Sequence, residues 1–187
     1  MAKEKRKGRV SKAQWLEMAL EVFRNEGEPG IRVELLARRL GISKAGFYWH
    51  FRDREDLLNQ LLDYWVHEYI EIVTGNSALA EIPPGDRLLF VMNMIYENKL
   101  AELDIHFCTW SLRDTRVERK VRRVVRMRLD FVRDIFLEKG FEEKEADMRA
   151  RLFVGYESNE QQMFKFKNAA QAKDYRERRW RLLLSDH

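Results

Sequence analysis

The chain has 187 residues, 45% apolar and 35% charged, with a formal net charge of +4 and one cysteine, Cys108. An apolar share of that size supports a packed core and excludes wholesale disorder, while a lone thiol excludes an intrachain disulfide and offers no zinc cluster. The longest apolar run, Leu88 to Met92, is far short of the roughly 20 residues of a membrane-spanning helix, and the charged opening MAKEKRKGRV lacks the apolar stretch of a secretory signal, so a reducing cytoplasm is the expected setting.

Charge is segregated along the chain. Residues 1–54 hold 13 Lys/Arg against 7 Asp/Glu, a net of +6, whereas residues 55–187 hold 22 against 24, a net of −2. A basic head on a slightly acidic body is the footprint of polyanion binding, usually of nucleic acid. The alternative is a merely solvated basic tail from Lys3 to Lys12.

In chain order, a flexible basic arm over residues 1–10 gives way to a helix announced by Ser11 and Gln14, a capping box. Trp15, Leu16, Ala19, Leu20 and Phe23 form its apolar stripe, and Gly27 and Pro29 end it. A short helix follows over about Val33 to Leu40. Gly41 breaks it, Ser43 caps a third helix to Trp49 or His50, and Asp53, with Asp56 three residues on, caps a fourth to about Thr74. Beyond Pro83-Pro84-Gly85, Asp86 caps a helix to about Asn98, and a shorter one covers Leu100 to Leu112. Thr115 to Lys139 is a long amphipathic helix with Val117, Val121, Val124, Val125, Val132 and Phe136 inward, closed by Gly140. Helices over about Glu143 to Phe166 and Asn168 to Leu184 complete an all-α count of about nine.

Two stretches carry chemistry. Ala37 followed four residues later by Gly41 has the spacing of a helix-turn-helix, in which the alanine permits close helix approach and the glycine takes the left-handed turn conformation. A structural αα-hairpin has the same spacing. The stretch GISKAGFYWHF (41–51) then places five large side chains, Phe47 to Phe51, in a row. No single helix face buries five neighbours, so some of them face away from the core.

From Ser11 to Leu62, the Ala37-x3-Gly41 turn, GISKAGFYWHF and RDREDLL resemble the N-terminal domain of the TetR family of transcriptional regulators. The resemblance implies a helix-turn-helix DNA-binding domain over residues 1–52 and a ligand-binding and dimerisation domain over 53–187. It implies a sequence-specific regulator, a repressor released from a palindromic operator by a small-molecule effector. In that frame Ser43 to Trp49 enter the major groove, with Ser43, Lys44, Ala45 and Gly46 at the reading end. Lys44 suits guanine or phosphate, and Ala45 a thymine methyl. Tyr48 and His50 are assigned to phosphate oxygens, with Arg54 as a further phosphate clamp, while Trp49 is split between DNA and packing. Phe47 and Phe51 belong to the core. Gly46 departs from the Thr or Ser usual in the family: either specificity rests on Lys44 and its neighbours, or the glycine lets the backbone approach the bases more closely.

The body is expected to form a homodimer through its last two helices, with Met148, Leu152, Gly155, Tyr156 and Met163 on one side of the penultimate helix as interface candidates. Trp65, Tyr69, Met92, Tyr96, Phe107, Cys108, Trp110 and Phe131 lie on helices that line cavities in the family, and any pocket there suits an apolar or aromatic molecule. Ordinary core is the competing reading for both sets. No metal set exists among His50, His67, His106 and His187, no cofactor is implied, and no phosphate loop or nucleophile motif points to an enzyme. The runner-up function is an architectural, nucleoid-type DNA binder without an effector. The Arg-rich run from Arg116 to Arg128 is read as a solvated face with pairs such as Glu118 to Arg122.

Overall fold

The computed structural model describes residues 10–67, 79 and 81–185. Among them lie nine α-helices, one 3₁₀ helix and no strand, the expected all-α class. The internal contacts divide the chain into two compact units, Met1–Trp65 and Val66–His187.

The first unit opens with α1, Lys12–Gly30, behind a complete capping box: the Gln14 amide donates to the Ser11 hydroxyl at 3.2 Å and the Ser11 amide to the Gln14 carboxamide oxygen at 2.8 Å. Gly27 interrupts α1 at φ +66°, a conformation costly for any residue with a Cβ. Helix α2, Val33–Leu40, ends at Gly41 with φ +68°, and the Ile42 amide donates to the Ala37 carbonyl at 3.0 Å. The alanine–glycine spacing therefore makes the tight turn it predicts. Phe47 and Phe51 are buried and stacked 5.1 Å apart, and Trp15 meets the Phe47 ring edge-on at 5.5 Å. Each such fully buried side chain stabilises the unit by about 1.5–3 kcal/mol.

The segment after Gly41 differs from expectation. Lys44–Trp49 is a 3₁₀ helix, and Ser43 occupies its N-cap position without a side-chain hydrogen bond. Gly46, whose helix propensity is about 1 kcal/mol below that of alanine, sits mid-segment, and a stretch this short settles into i→i+3 bonding. Helix α3, Arg54–Val66, begins as predicted, with the Asp56 amide donating to the Asp53 carboxylate at 2.8 Å. Its expected continuation to Thr74 lies outside the described residues.

In the second unit, α4 (Pro84–Glu97) starts at Pro84, leaving Asp86 in the first turn rather than at the cap. Proline at the first helical position sacrifices no hydrogen bond, because that N–H has no partner within the helix. Helix α5 covers Ala101–Ser111 and α6 Thr115–Lys139. The cap of α6 is Asp114, which accepts from the Arg116 amide, and Gly140 closes the helix at φ +104°. Val117, Val124, Val132 and Phe136 point inward as predicted, but Val125 is 39% exposed, one residue off the buried stripe.

The penultimate helix is broken. Helix α7 covers Glu143–Glu157 and a single turn, α8, Glu160–Met163. At the break the Asn159 side chain donates to the Gly155 carbonyl at 2.8 Å, the local bond by which asparagine competes with helix continuation. Helix α9, Ala169–Leu184, is capped by Asn168. Helices α4, α6, α7 and α9 share one apolar core, including Leu88, Met92, Phe136, Phe153 and Leu183. The Arg149 guanidinium ties α7 to the end of α9 by donating to the carbonyls of Leu183 and Ser185 at 2.5 and 2.9 Å.

Candidate nucleic-acid interface and effector cavity

In the head, the crowded aromatic run divides by face. Phe47 and Phe51 are 0% and 2% exposed, while Tyr48 and Trp49 are 58% and 73% exposed. Trp49, undecided from sequence, is thus directed to solvent. Ser43, Lys44 and Ala45 are exposed and Gly46 half-buried, so the predicted reading residues form one accessible row after the Gly41 turn. A Cβ on Gly46 would meet Ile42 Cδ1 at 3.4 Å, so packing does not demand glycine there.

Three charged or polar groups are already engaged within the head. The Lys44 ammonium pairs with the Glu34 carboxylate of α2, and their hydrogen bond pushes the lysine pKa up and the glutamate pKa down. The His50 Nε2 lies 2.9 Å from the Val10 carbonyl oxygen, tethering the start of the described chain. Arg54 donates through Nε to the Ile31 carbonyl at 2.7 Å and through Nη2 to the Glu28 carbonyl at 2.8 Å, and it pairs with the Glu28 carboxylate. These bonds clasp the C-terminal end of α1, a different use of Arg54 from the phosphate clamp expected of it. Glu34 and Glu28 were missed from sequence, because nothing local shows which carboxylate a folded arginine or lysine will meet.

A partly open cavity of about 60 Å³ lies between α4, α5, α6 and α7 of the body. Its walls are mostly apolar, among them Val91, Ile95, Leu100, Phe131, Phe153 and Val154, and Asp104, Arg128, Glu157 and Ser158 complete the lining. Of the seven pocket candidates among the described residues, Phe131 alone lines it. Met92 is buried in the helix core, Phe107 and Trp110 are buried and stacked 6.4 Å apart, and Tyr96 lies beneath the Arg176 guanidinium. Cys108 is exposed, Trp65 belongs to the first unit, and Tyr69 lies outside the described residues. Aromatic residues at helical spacing here fill core, while charged residues mark the cavity. Asp104, set between Leu103 and Ile105 and only 7% exposed, was the available signal.

Arg128 donates to both Asp104 oxygens, at 2.5 and 3.1 Å. Arg179 donates to Glu157 at 2.8 and 3.0 Å and to Glu160 at 2.8 Å. Burial, with the neighbouring Glu160 carboxylate, pushes Glu157 up to about 7 against the pull of Arg179. On the outer side of α7 and beyond, Met148, Leu152 and Met163 are 56%, 59% and 70% exposed, and nothing lies within 4 Å of a Cβ built on Gly155. Tyr156 is half-buried, stacked on Phe164 at 5.7 Å and covered by Arg179. Met163 is carried on α8, separated from the others by the break at Asn159.

Among the described residues, no group of three or more His, Cys, Asp or Glu side chains is placed to hold a metal ion, and no helix is long and apolar enough to cross a membrane.

Residues 16–61, spanning the capped α1, the glycine turn and the row of exposed residues, match the family model of the bacterial regulatory proteins, tetR family. This stretch is a TetR-family domain. The chain is 27% identical over 59 residues to the HTH-type transcriptional regulator AcrR of Shigella flexneri, covering 32% of this chain and 27% of that protein. It is 34% identical over 47 residues to the HTH-type transcriptional regulator TtgW of Pseudomonas putida, covering 25% of this chain and 35% of the relative. The matched stretch thus spans about a third of these relatives. The fold extends further: the crystal structure of the transcriptional regulator FadR from Bacillus subtilis in complex with stearoyl-CoA superposes with a TM-score of 0.64 at 18% identity, covering 95% of this chain and 100% of that one.

Proposed function

We propose that this chain is a TetR-family, sequence-specific DNA-binding transcriptional regulator, a repressor released from a palindromic operator when a small molecule enters the body, and that it acts as a cytoplasmic homodimer rather than as an enzyme. The observation that carries the reading is the accessible row Ser43, Lys44, Ala45, Tyr48 and Trp49, set immediately after the left-handed Gly41 turn and backed by buried Phe47 and Phe51. A helical segment presented in this way suits the major groove, where base edges are distinguishable. Lys44 meets DNA by exchanging Glu34 for a guanine or a phosphate, and the Tyr48 hydroxyl suits phosphate oxygens, which fix position without reading sequence.

Support for the homodimer comes from the exposed apolar side chains Met148, Leu152 and Met163. Gly155, open to approach, lies between them in sequence. Large apolar groups left in water, Met148 and Leu152 on one face of α7 and Met163 on α8, mark an interaction surface, and a two-fold dimer matches a palindromic site. Support for the effector comes from the apolar cavity. At about 60 Å³ it is smaller than the roughly 300–1,000 Å³ of drug-sized sites, so occupancy requires the helices around it to move. A ligand that favours the moved state shifts the equilibrium by its difference in affinity for the two.

The decisive experiment is selection of bound duplexes from a random pool, followed by binding measurements across salt concentrations. A palindromic consensus, with affinity falling steeply as salt rises, is the expected result, and Lys44→Ala should relax preference at one base pair in each half-site. Uniform binding without a consensus would instead establish the architectural reading, and a sedimentation coefficient of a monomer at micromolar concentration would eliminate the dimer.

A further inference from the structure

The charged lining of the body cavity is lopsided. Asp104 and Glu157, 7% and 4% exposed, contribute two buried carboxylates, whereas Arg128 is the one cation among the lining residues. Arg128 is committed to Asp104 by two bonds, at 2.5 and 3.1 Å. Glu157 relies on Arg179, which is itself divided between Glu157 and Glu160.

We infer that the cavity takes an amphipathic ligand with an apolar body and a single cationic head, recognised by Glu157 and Asp104. An anionic head has only Arg128 to bind. To reach it, the ligand must displace Asp104, leaving that carboxylate buried beside Glu157 without its partner, and a buried unpaired charge is the costliest outcome available. A cationic head displaces nothing, because it adds positive charge where Glu157 and Glu160 share one guanidinium. This assignment rests on the reading that the cavity is the effector site.

Proton exchange follows from the same geometry. Around Glu157 lie Tyr156 on its own helix, Glu160 on α8, Arg176 and Arg179 on α9, and the cavity partners Asp104 on α5 and Arg128 on α6. Arg176 stacks on Tyr96 at 3.9 Å and donates through Nε to Asn93 at 3.1 Å, with its Nη1 buried and without a hydrogen-bond partner; its charge is felt at Glu157, but it is not among the residues that line the cavity. Burial holds the Glu157 carboxyl up to about 7. A cation beside it stabilises the ionised form, and binding therefore releases a proton near neutrality.

The test compares three probes with one apolar body, hexylammonium, hexanoate and hexanol, titrated into the full-length protein and followed by amide NMR shifts. At about pH 8, hexylammonium should bind at least roughly fivefold more tightly than hexanol, with hexanoate weakest. Its affinity should then fall with pH, approaching about tenfold per unit below about pH 7. Glu157→Gln should remove the pH dependence. Asp104→Asn, a second and independent variant, releases Arg128 and should raise hexanoate affinity. Hexanoate binding as tightly as hexylammonium, or a cation preference indifferent to pH, would overturn the inference and leave the cavity reading standing. If all three probes fail to shift the amides around Phe131 and Phe153, both fall together.

Discussion

Replacing Arg54 separates two roles for one side chain. Sequence resemblance places it on a phosphate, whereas in the folded head it donates to the Ile31 carbonyl at 2.7 Å and the Glu28 carbonyl at 2.8 Å and pairs with the Glu28 carboxylate. Hydrogen bonds involving charged groups contribute about 1.5–3 kcal/mol each when desolvated. The Arg54 side chain is 39% exposed and that of Glu28 19%, so water recovers part of the loss. Arg54→Ala is therefore expected to destabilise the first unit by about 2 kcal/mol in the absence of DNA.

For a unit of this size each kcal/mol lowers the melting temperature by about 4–8 °C, which gives a drop of about 8–16 °C if the head melts by itself. Thermal unfolding followed through the fluorescence of buried Trp15 measures it. Arg54→Lys keeps the charge but loses the planar fork, so it should rescue DNA affinity under the phosphate role and fail to rescue the melting temperature under the clasp role. A melting temperature unchanged to within about 1 °C, alongside weakened DNA binding, would refute the clasp.

Tyr48→Phe, which removes a hydroxyl from a 58% exposed ring, should weaken binding to every duplex by about three- to tenfold without changing its melting temperature; a loss confined to the operator would place Tyr48 on a base instead. Glu157 has its pKa raised from 4.5 to about 7, so its contribution to stability is fully present below pH 4.5 and is lost as pH rises through about 7. Urea unfolding at about pH 5 and about pH 8 should show Glu157→Gln gaining on the wild type by on the order of 2–3 kcal/mol at the higher pH, and an equal difference at both would contradict the burial argument. Leu152→Glu, at a 59% exposed position, should shift sedimentation from dimer to monomer while leaving the helical circular dichroism unchanged; a persistent dimer would move the interface elsewhere.

What was legible in the sequence was whatever rests on neighbours in the chain. The Ser11–Gln14 box, the Ala37–Gly41 turn, the Asp53 cap and the left-handed Gly140 each involve residues within a turn of one another, and each forms as predicted. That Met148 and Leu152 share a helix face was also readable, because residues four apart do; that the face is exposed rather than core was not. Nor were the charged side chains. Arg54 reaches back to residues 28 and 31, and Arg128 crosses to Asp104. A sequence shows that a guanidinium is present but not whether it faces a phosphate, a carbonyl or a carboxylate. The cavity was misplaced for a related reason: large aromatic residues fill space, so they seal the core, and the groups left at its margin are the ion pairs that cannot be packed over.

The change from α to 3₁₀ winding in Lys44–Trp49 accounts for the fate of His50. In an α-helix successive residues turn by about 100°, so His50 would sit about 60° round the axis from Phe47. With three residues per turn, positions i and i+3 eclipse, which brings His50 under the same face as buried Phe47. There its amide donates to the Phe47 carbonyl at 2.9 Å, its ring is half-buried, and its Nε2 lies against the Val10 carbonyl. The same winding leaves Tyr48 and Trp49 as the two residues between eclipsed positions, and both are exposed. The five crowded side chains therefore separate as three inward and two outward: the i→i+3 bond aligns His50 with Phe47, while the Phe51 amide donates to the Phe47 carbonyl at 3.1 Å, an i→i+4 bond of α-helical type that returns the second phenylalanine to the buried face.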